Sequence, residues 1–244
     1  MKRSTASPSW QSLLLVFGLL FGATAKPATS GELFSQGLKE YDGGNYPAAI
    51  KNWEELKQQS DSSAVRYNLG HAYYRAKQMG RAIFELRKAQ ELSPRDPDLK
   101  FNLNYLRHHT VDKVPSLSEW AFLSDKEIQG WFAAVSFLAW LAVAFGAWSQ
   151  NPKLRPFSRT LIGLWIVSLL FTLAQVWTRN PFGVVIANEA SVYSGLGKDT
   201  VLLFQLHEGT EFTVGDQTQP EWLQIQLPDG KKGWLKRDEA VFEG

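Results

Sequence analysis

The chain has 244 residues, no cysteine, and a formal net charge of +2 from 26 basic and 24 acidic side chains. Without cysteine it has no disulfide, no thiolate metal site and no lipid-modified cysteine anchor, which fits an oxidising compartment without proving one. Two uncharged stretches take up much of the second half, leaving room for two small soluble modules rather than one large enzyme core.

At the amino terminus, Lys2 and Arg3 precede an apolar run from Leu13 to Phe21, and Ala23-Thr24-Ala25 has the small-residue spacing of a signal peptidase site. Residues 1–25 therefore read as a secretory signal peptide, with an uncleaved anchor as the rival reading.

Residues 31–110 repeat with a period of 33: Gly37, Ala49 and Leu56 recur as Gly70, Ala82 and Ala89. Small residues at that spacing let two antiparallel helices cross closely, while Leu69, Tyr73, Ile83, Leu86 and Leu92 fill the space between them. Pro94 is expected to end the second helix of the second copy. Asp96 is expected to cap a third opening helix, with Pro97 in its first turn. The spacing of Leu69, Gly70, Tyr73, Ala82, Ala89 and Pro94 resembles the tetratricopeptide repeat. The first copy is looser, since Glu40 stands where an aromatic is usual and the repeat is one residue short. No second helix follows the third opening helix, so it reads as the closing helix of the stack. Two and a half repeats are few for an independent array, so a neighbouring element or a second copy of the chain is expected to add burial.

Tetratricopeptide arrays bind peptides along the wall made by first helices. The resemblance implies that Tyr67, Asn68, His71, Tyr74 and Arg75, followed by Phe101, Asn102, Tyr105 and His109, line such a groove. Aromatics, amides and cations at helical spacing suit an extended peptide, with Asn68 and Asn102 bonding its backbone. The alternative is that some of these side chains pack against the juxtamembrane segment, residues 111–130.

Residues 131–148 and 161–177 hold no Asp, Glu, Lys, Arg or His, and each makes a helix about 27 Å long, close to the thickness of a hydrocarbon core. Trp131, Trp148 and Trp177 stand at the ends of these stretches, where indoles prefer the headgroup level. Ala139, Ala142 and Gly146 form a smooth face on the first span, and Ser168, Thr172 and Gln175 are expected to face protein on the second. Residues 149–160 carry Lys153, Arg155 and Arg159 and no acid, so the positive-inside bias makes this turn cytoplasmic and puts both flanking modules on the opposite side together. No ionisable group enters either span, so a proton or ion pathway has nothing to run on.

Beyond Pro181 the chain alternates in short runs, VVIA, ASVYS, VLLFQL, TEFTVG, EWLQIQL and KGWL, which predict five or six strands of a small barrel over residues 183–244. This module holds 5 basic and 10 acidic side chains against 14 and 11 for residues 26–115, so it should repel nucleic acid and tolerate a basic or neutral partner. Gly209, Trp222, Asp229, Gly230, Gly233 and Trp234 give it a resemblance to bacterial SH3-type domains. That resemblance implies Tyr193, Trp222 and Trp234 as ligand candidates; partial burial in the barrel core is the alternative for the two tryptophans.

Catalytic signatures are missing from the sequence. Gly195-Leu196-Gly197-Lys198 lacks the first glycine and the Ser or Thr of a phosphate loop. His108 and His109 are adjacent on a helix and point about 100° apart, so one metal cannot readily take both. No catalytic residue, metal or cofactor is expected.

The fold class read from the sequence is thus a multidomain membrane protein: all-α tetratricopeptide repeats, a two-helix transmembrane hairpin and a small all-β SH3-like barrel. In that order the parts resemble the tetratricopeptide component of bacterial aerotolerance (Bat) operons. The resemblance implies an inner-membrane scaffold acting beside von Willebrand factor type A domain proteins and a MoxR-type AAA ATPase, in contact with the lipid bilayer and without nucleic acid. The alternative is a module that targets peptidoglycan and recruits a cell-wall enzyme.

Overall fold

The computed structural model describes residues 28–115, 117, 123–149, 155–178, 181–196 and 200–243; for 125, 146–149, 155–159 and 175–178 it describes the backbone alone. The leader over residues 1–25 lies outside the described residues.

Five helices come first: α1 (Ser30–Asp42), α2 (Tyr46–Gln59), α3 (Ser63–Arg75), α4 (Met79–Leu92) and α5 (Pro97–His109). They pair as α1 with α2 and α3 with α4, and α5 closes against α4. The close crossings fall on the small residues. A Cβ on Gly70 would lie 2.7 Å from Leu86 Cγ, and one on Gly37 would lie 2.2 Å from Trp53 Nε1. The turns repeat as well: Gly44 (φ 79°) and Lys77 (φ 64°), one period apart, adopt the same left-handed conformation. Asp96 caps α5 by accepting from the amides of Asp98 (2.9 Å) and Leu99 (3.4 Å), and α4 stops at Leu92, two residues before Pro94. Within the stack, buried Glu85 accepts from Lys57 Nζ at 2.8 Å and Arg66 Nη1 at 2.9 Å, so its charge is paired on both oxygens.

Two long helices follow, α6 (Asp125–Ser149) and α7 (Arg155–Thr178), packed along one another. Each starts about six residues before the apolar stretch that defines it, because the polar segments Asp125–Gly130 and Arg155–Thr160 continue the helices. Ser124 caps α6: its amide and hydroxyl donate to Glu127 Oε2, and its Oγ accepts from the Glu127 amide. Ala139 is buried on α6, and half-buried Ser168 and Thr172 lie on the shielded side of α7. Thr172 returns its hydroxyl to the Ser168 carbonyl at 2.9 Å, and Trp165 Nε1 donates to Ser136 Oγ across the pair at 2.9 Å. The side chains of Gly146, Trp148, Gln175 and Trp177 lie outside the described residues.

The carboxyl-terminal part contains seven strands, β1 (Phe182–Val185), β2 (Glu189–Tyr193), β3 (Leu202–His207), β4 (Glu211–Val214), β5 (Trp222–Gln226), β6 (Lys232–Lys236) and β7 (Ala240–Phe242). They form one antiparallel sheet in the order β3-β2-β6-β5-β4-β1-β7. The predicted barrel of five or six strands is therefore an open sheet of seven. The extra strand is the short β7, which pairs with β1 and lacks an alternating pattern long enough to read from sequence. Leu206 from edge strand β3 and Ala240 from the opposite edge share one apolar cluster with Val192, Leu223, Ile225 and Leu235, so the sheet curls around its own core.

The helices and the sheet are joined rather than strung apart. All four residues of β1 are buried: Val185 faces the sheet's core, while Phe182 and Val184 enter the helical core beside Ile83 and Leu86. The neighbour expected to complete the short stack is thus the chain's own sheet. The fold class is a helical repeat region combined with an antiparallel sheet.

Candidate functional site

The wall made by α1, α3 and α5 carries every groove residue predicted from the sequence. Tyr67 on α3 and Asn102 on α5 meet through Asn102 Nδ2 and the Tyr67 hydroxyl at 3.3 Å. Tyr74 and Tyr105 pack edge to face with centroids 6.4 Å apart, and Tyr105 lies 4.3 Å from the His109 ring. Phe101 is 70% exposed and Tyr105 44%, so the band presents apolar rings to whatever approaches.

Several residues play narrower parts than expected. Asn68 and Asn102 donate their side-chain N–H groups to the carbonyls of Ala64 (2.8 Å) and Asp98 (2.7 Å) on their own helices. Their amide oxygens remain to accept from a ligand N–H. His71 packs against the Tyr67 ring at 4.4 Å, burial pushes its pKa down, and its Nε2 is enclosed without a hydrogen-bond partner. It therefore offers a neutral ring rather than a cation. Arg75 stacks over Tyr46 (4.9 Å) and lies 6.0 Å from the Tyr41 ring, so it is held toward the first repeat.

The same register extends one repeat back to residues that sequence reasoning passed over. Phe34, Ser35, Leu38 and Tyr41 stand 33 positions before Tyr67, Asn68, His71 and Tyr74, on α1. Leu38 is exposed and Tyr41 rests against Trp53, so the wall runs over three helices.

A second set of residues builds the joint between repeats and sheet. The N-terminal end of α4 lacks a side-chain cap of its own; Glu208, in the turn after β3, accepts from the Gly80 amide at 3.0 Å instead. Glu211, buried on β4, accepts two bonds from Arg107 Nη2, both at 3.0 Å, and lies 3.5 Å from Arg87 Nη1. Arg87 sits 3.9 Å over the Phe182 ring, and Lys88 reaches Glu243 at 2.5 Å. The acidic carboxyl-terminal module thus finds its basic partner within the same chain. The charge imbalance pointed to such a partner but not to its place.

Asp112, just beyond α5, completes the joint. Its Oδ2 accepts from the His207 amide (2.7 Å) and the Thr210 hydroxyl (2.5 Å), and its Oδ1 lies 2.9 Å from His207 Nδ1. Burial would raise the Asp112 pKa, but these hydrogen bonds outweigh it and hold the carboxyl below its ordinary value. A carboxyl lowered on folding adds stability that is present above its unfolded pKa, about 4, and is lost as pH falls through the folded value. Asp112→Asn should therefore melt lower than the parent at pH 7 and lose less on acidification from pH 5 to pH 3. Parallel melting curves across that range would refute the assignment.

Tyr193, Trp222 and Trp234 also come together. Tyr193 on β2 is the register partner of Trp234 on β6, and its ring meets Trp222 edge to face at 5.7 Å. All three are half-buried on the face opposite the sheet's core, so neither tryptophan is a core residue.

Among the described residues no cluster of three or more His, Asp or Glu side chains is arranged to hold a metal. Gly197 to Asp199, the end of the weak phosphate-loop pattern, lie outside the described residues. A scan against protein-family models gives no match, and a search of curated proteins gives none. Among solved structures, the chain is similar to one from a "T3SS complex from Aeromonas hydrophila", with 16% identity over 65% of this chain and 96% of that one. The TM-score is 0.33, a likeness that carries no argument about fold or function.

Proposed function

We propose that the chain is a membrane-anchored scaffold without catalysis, whose tetratricopeptide-type wall on α1, α3 and α5 binds an extended peptide segment of a partner protein. The observation that carries this reading is the placement of the sheet. It docks on α4 and α5 through Glu208, Glu211 and Phe182, so the opposite wall keeps Phe101 and Tyr105 open. The sheet covers the second helix α4 and reaches α5 only through Arg107 near its C-terminal end, so the wall shared by α1, α3 and α5 is left to receive a ligand.

Anchoring is supported by α6 and α7. Lys126–Phe145 is long and apolar enough to cross a bilayer, and only 6% of its most apolar window is buried inside the protein; the described apolar part of α7, Thr160–Ala174, is shorter. Trp140 is 71% and Leu138 59% exposed, where a core helix of a soluble protein would be covered. The bond from Trp165 to Ser136 satisfies both groups within the pair, as hydrocarbon requires. In this reading the hairpin lies in a bacterial inner membrane with the repeats and an SH3-like sheet in the periplasm, as one body rather than two independent adaptors. The resemblance to the tetratricopeptide component of aerotolerance operons suggests von Willebrand factor type A domain proteins and a MoxR-type ATPase system as the surroundings.

The test combines recovery and topology. Tyr67→Ala, Asn68→Ala and Tyr105→Ala together should reduce crosslinked partner at least tenfold, the loss of a few kcal/mol of aromatic contact, while membrane fractionation is unchanged. Single cysteines placed at Asn104 and Asp238 in this cysteine-free chain should both react with an impermeant maleimide in spheroplasts. Unchanged partner recovery defeats the groove, and shielding of either cysteine defeats the topology.

A further inference from the structure

We propose that the open edge of the sheet, strand β3, pairs antiparallel with β3 of a second copy of the chain about a two-fold axis. β3 is an end strand, bonded along its main chain to β2 alone. The opposite end strand, β7, is covered, because it packs against α4 and its Val241 lies against the helical core. The foot of β3 is closed as well, since Asp112 takes the His207 amide at 2.7 Å. Above that point the edge lies open, with Val201 64%, Leu202 48% and Leu203 48% exposed.

Main-chain direction selects the occupant. His207 sends its amide away from β2, and directions alternate along a strand, so Gln205 sends its amide and carbonyl the same way. Val201 turns to β2 instead: its carbonyl accepts from the Ser194 amide at 2.9 Å and its amide donates to Ser194 Oγ at 3.1 Å, so Leu202 points outward. Leu203 is the extra residue of a bulge, for Val192 pairs with Phe204 and Tyr193 with Leu202. The outward groups of Leu202 and Gln205 therefore stand three positions apart, whereas a regular strand presents them every two. Such a bulge deters ordinary strands from adding to an edge. A second β3 carries the same spacing. Run antiparallel, it sets its Gln205 opposite Leu202 and its Leu202 opposite Gln205, in step at both points.

Charge supports the same occupant. Sheet edges are commonly guarded by Lys, Pro or an inward-pointing charge, yet residues 200–206, TVLLFQL, hold no charged side chain and no Pro. Residues 183–244 carry 10 acidic against 5 basic side chains, so other faces of the module repel their own kind. At this strand two copies meet without like charges, and Val201, Leu202 and Leu203 of each lose water against the other. Because the second edge is covered, the contact closes at two copies instead of growing into a fibre. The proposal is independent of the groove on the helical wall.

The test uses the full chain, with detergent micelles in excess over protein, and exploits its lack of cysteine. Leu202→Cys and Gln205→Cys chains carrying different tags are mixed and mildly oxidised. Unlike positions stand about 5.5 Å apart across the join, within the span of a disulfide, and like positions roughly 10 Å apart. The mixed disulfide should therefore form about tenfold faster than either like pair. Light scattering should give the protein mass of a dimer. Leu202→Lys places a charge from each copy at the join, and Gln205→Pro removes an outward amide; each should raise the concentration of half-dissociation about tenfold or more. Neither should shift the melt of the monomer, because Leu202 is exposed and the Gln205 amide makes no bond to β2. Tyr105→Ala should leave the dimer intact, which separates this surface from the peptide groove. Like pairs crosslinking as fast as unlike ones, a monomer at every concentration, or a dimer indifferent to both Leu202→Lys and Gln205→Pro would each overturn the proposal.

Discussion

Gly80→Leu is expected to lower the melting temperature of the chain by several degrees and to open the joint between repeats and sheet to proteolysis. A Cβ at this position would stand 2.2 Å from the Val185 carbonyl oxygen and 3.1 Å from Ile186 Cα. These are backbone atoms of β1 and the residue that follows it, so no rotamer change relieves the contact and the sheet has to move off α4. Overpacking of this kind costs about 1–3 kcal/mol, against which the helix-forming gain over glycine, about 1 kcal/mol in a helix interior, is smaller in the first turn. Movement of β1 also pulls Glu208 from the Gly80 amide, leaving the N-terminal end of α4 without its acceptor. Gly31→Ala is the matched control, because a Cβ there meets nothing within 4 Å. Equal melting of the two variants would mean that the sheet is not held against α4.

Glu211→Ala should be the most damaging single change at the joint. The carboxylate is 7% exposed and is shared by Arg107, at 3.0 Å to both oxygens, and Arg87, at 3.5 Å. Removing one partner from a buried ionic group typically costs about 3–5 kcal/mol, because the remaining charge has lost both water and counter-charge. The exposed pair of Lys231 with Asp229 lies at a similar distance, 2.9 Å, yet its removal should barely move the unfolding midpoint, because water and salt screen both charges. Urea unfolding in micelles checks both. If Glu211→Ala and Asp229→Ala shift the midpoint equally, the joint is not held by its buried charges.

The helical half was legible because its signals are periodic. Gly37, Ala49 and Leu56 recur one repeat later, Asp96-Pro97 opens a helix, and the aromatic residues fall on first helices by simple register. The same register would have found Phe34, Leu38 and Tyr41 had it been run back one repeat. The strands were legible as texture, but not their number, since β7 has only three residues. The proximity of Tyr193 to Trp222 could not be read either, because a one-residue slip in pairing would have turned either ring to the other face.

By itself, the amino-acid sequence determined the kinds of parts: small residues where helices cross, alternation where strands run, uncharged lengths of about 27 Å where two long helices lie together. Only the tertiary structure decided that Glu208 and Glu211 of the acidic module close on Gly80, Arg87 and Arg107 of the repeats, fixing which wall of the array is covered and which stays open. Local order follows spacing along the chain, and spacing can be read. A joint between residues more than a hundred positions apart depends on matching shape and charge in space, which no period records.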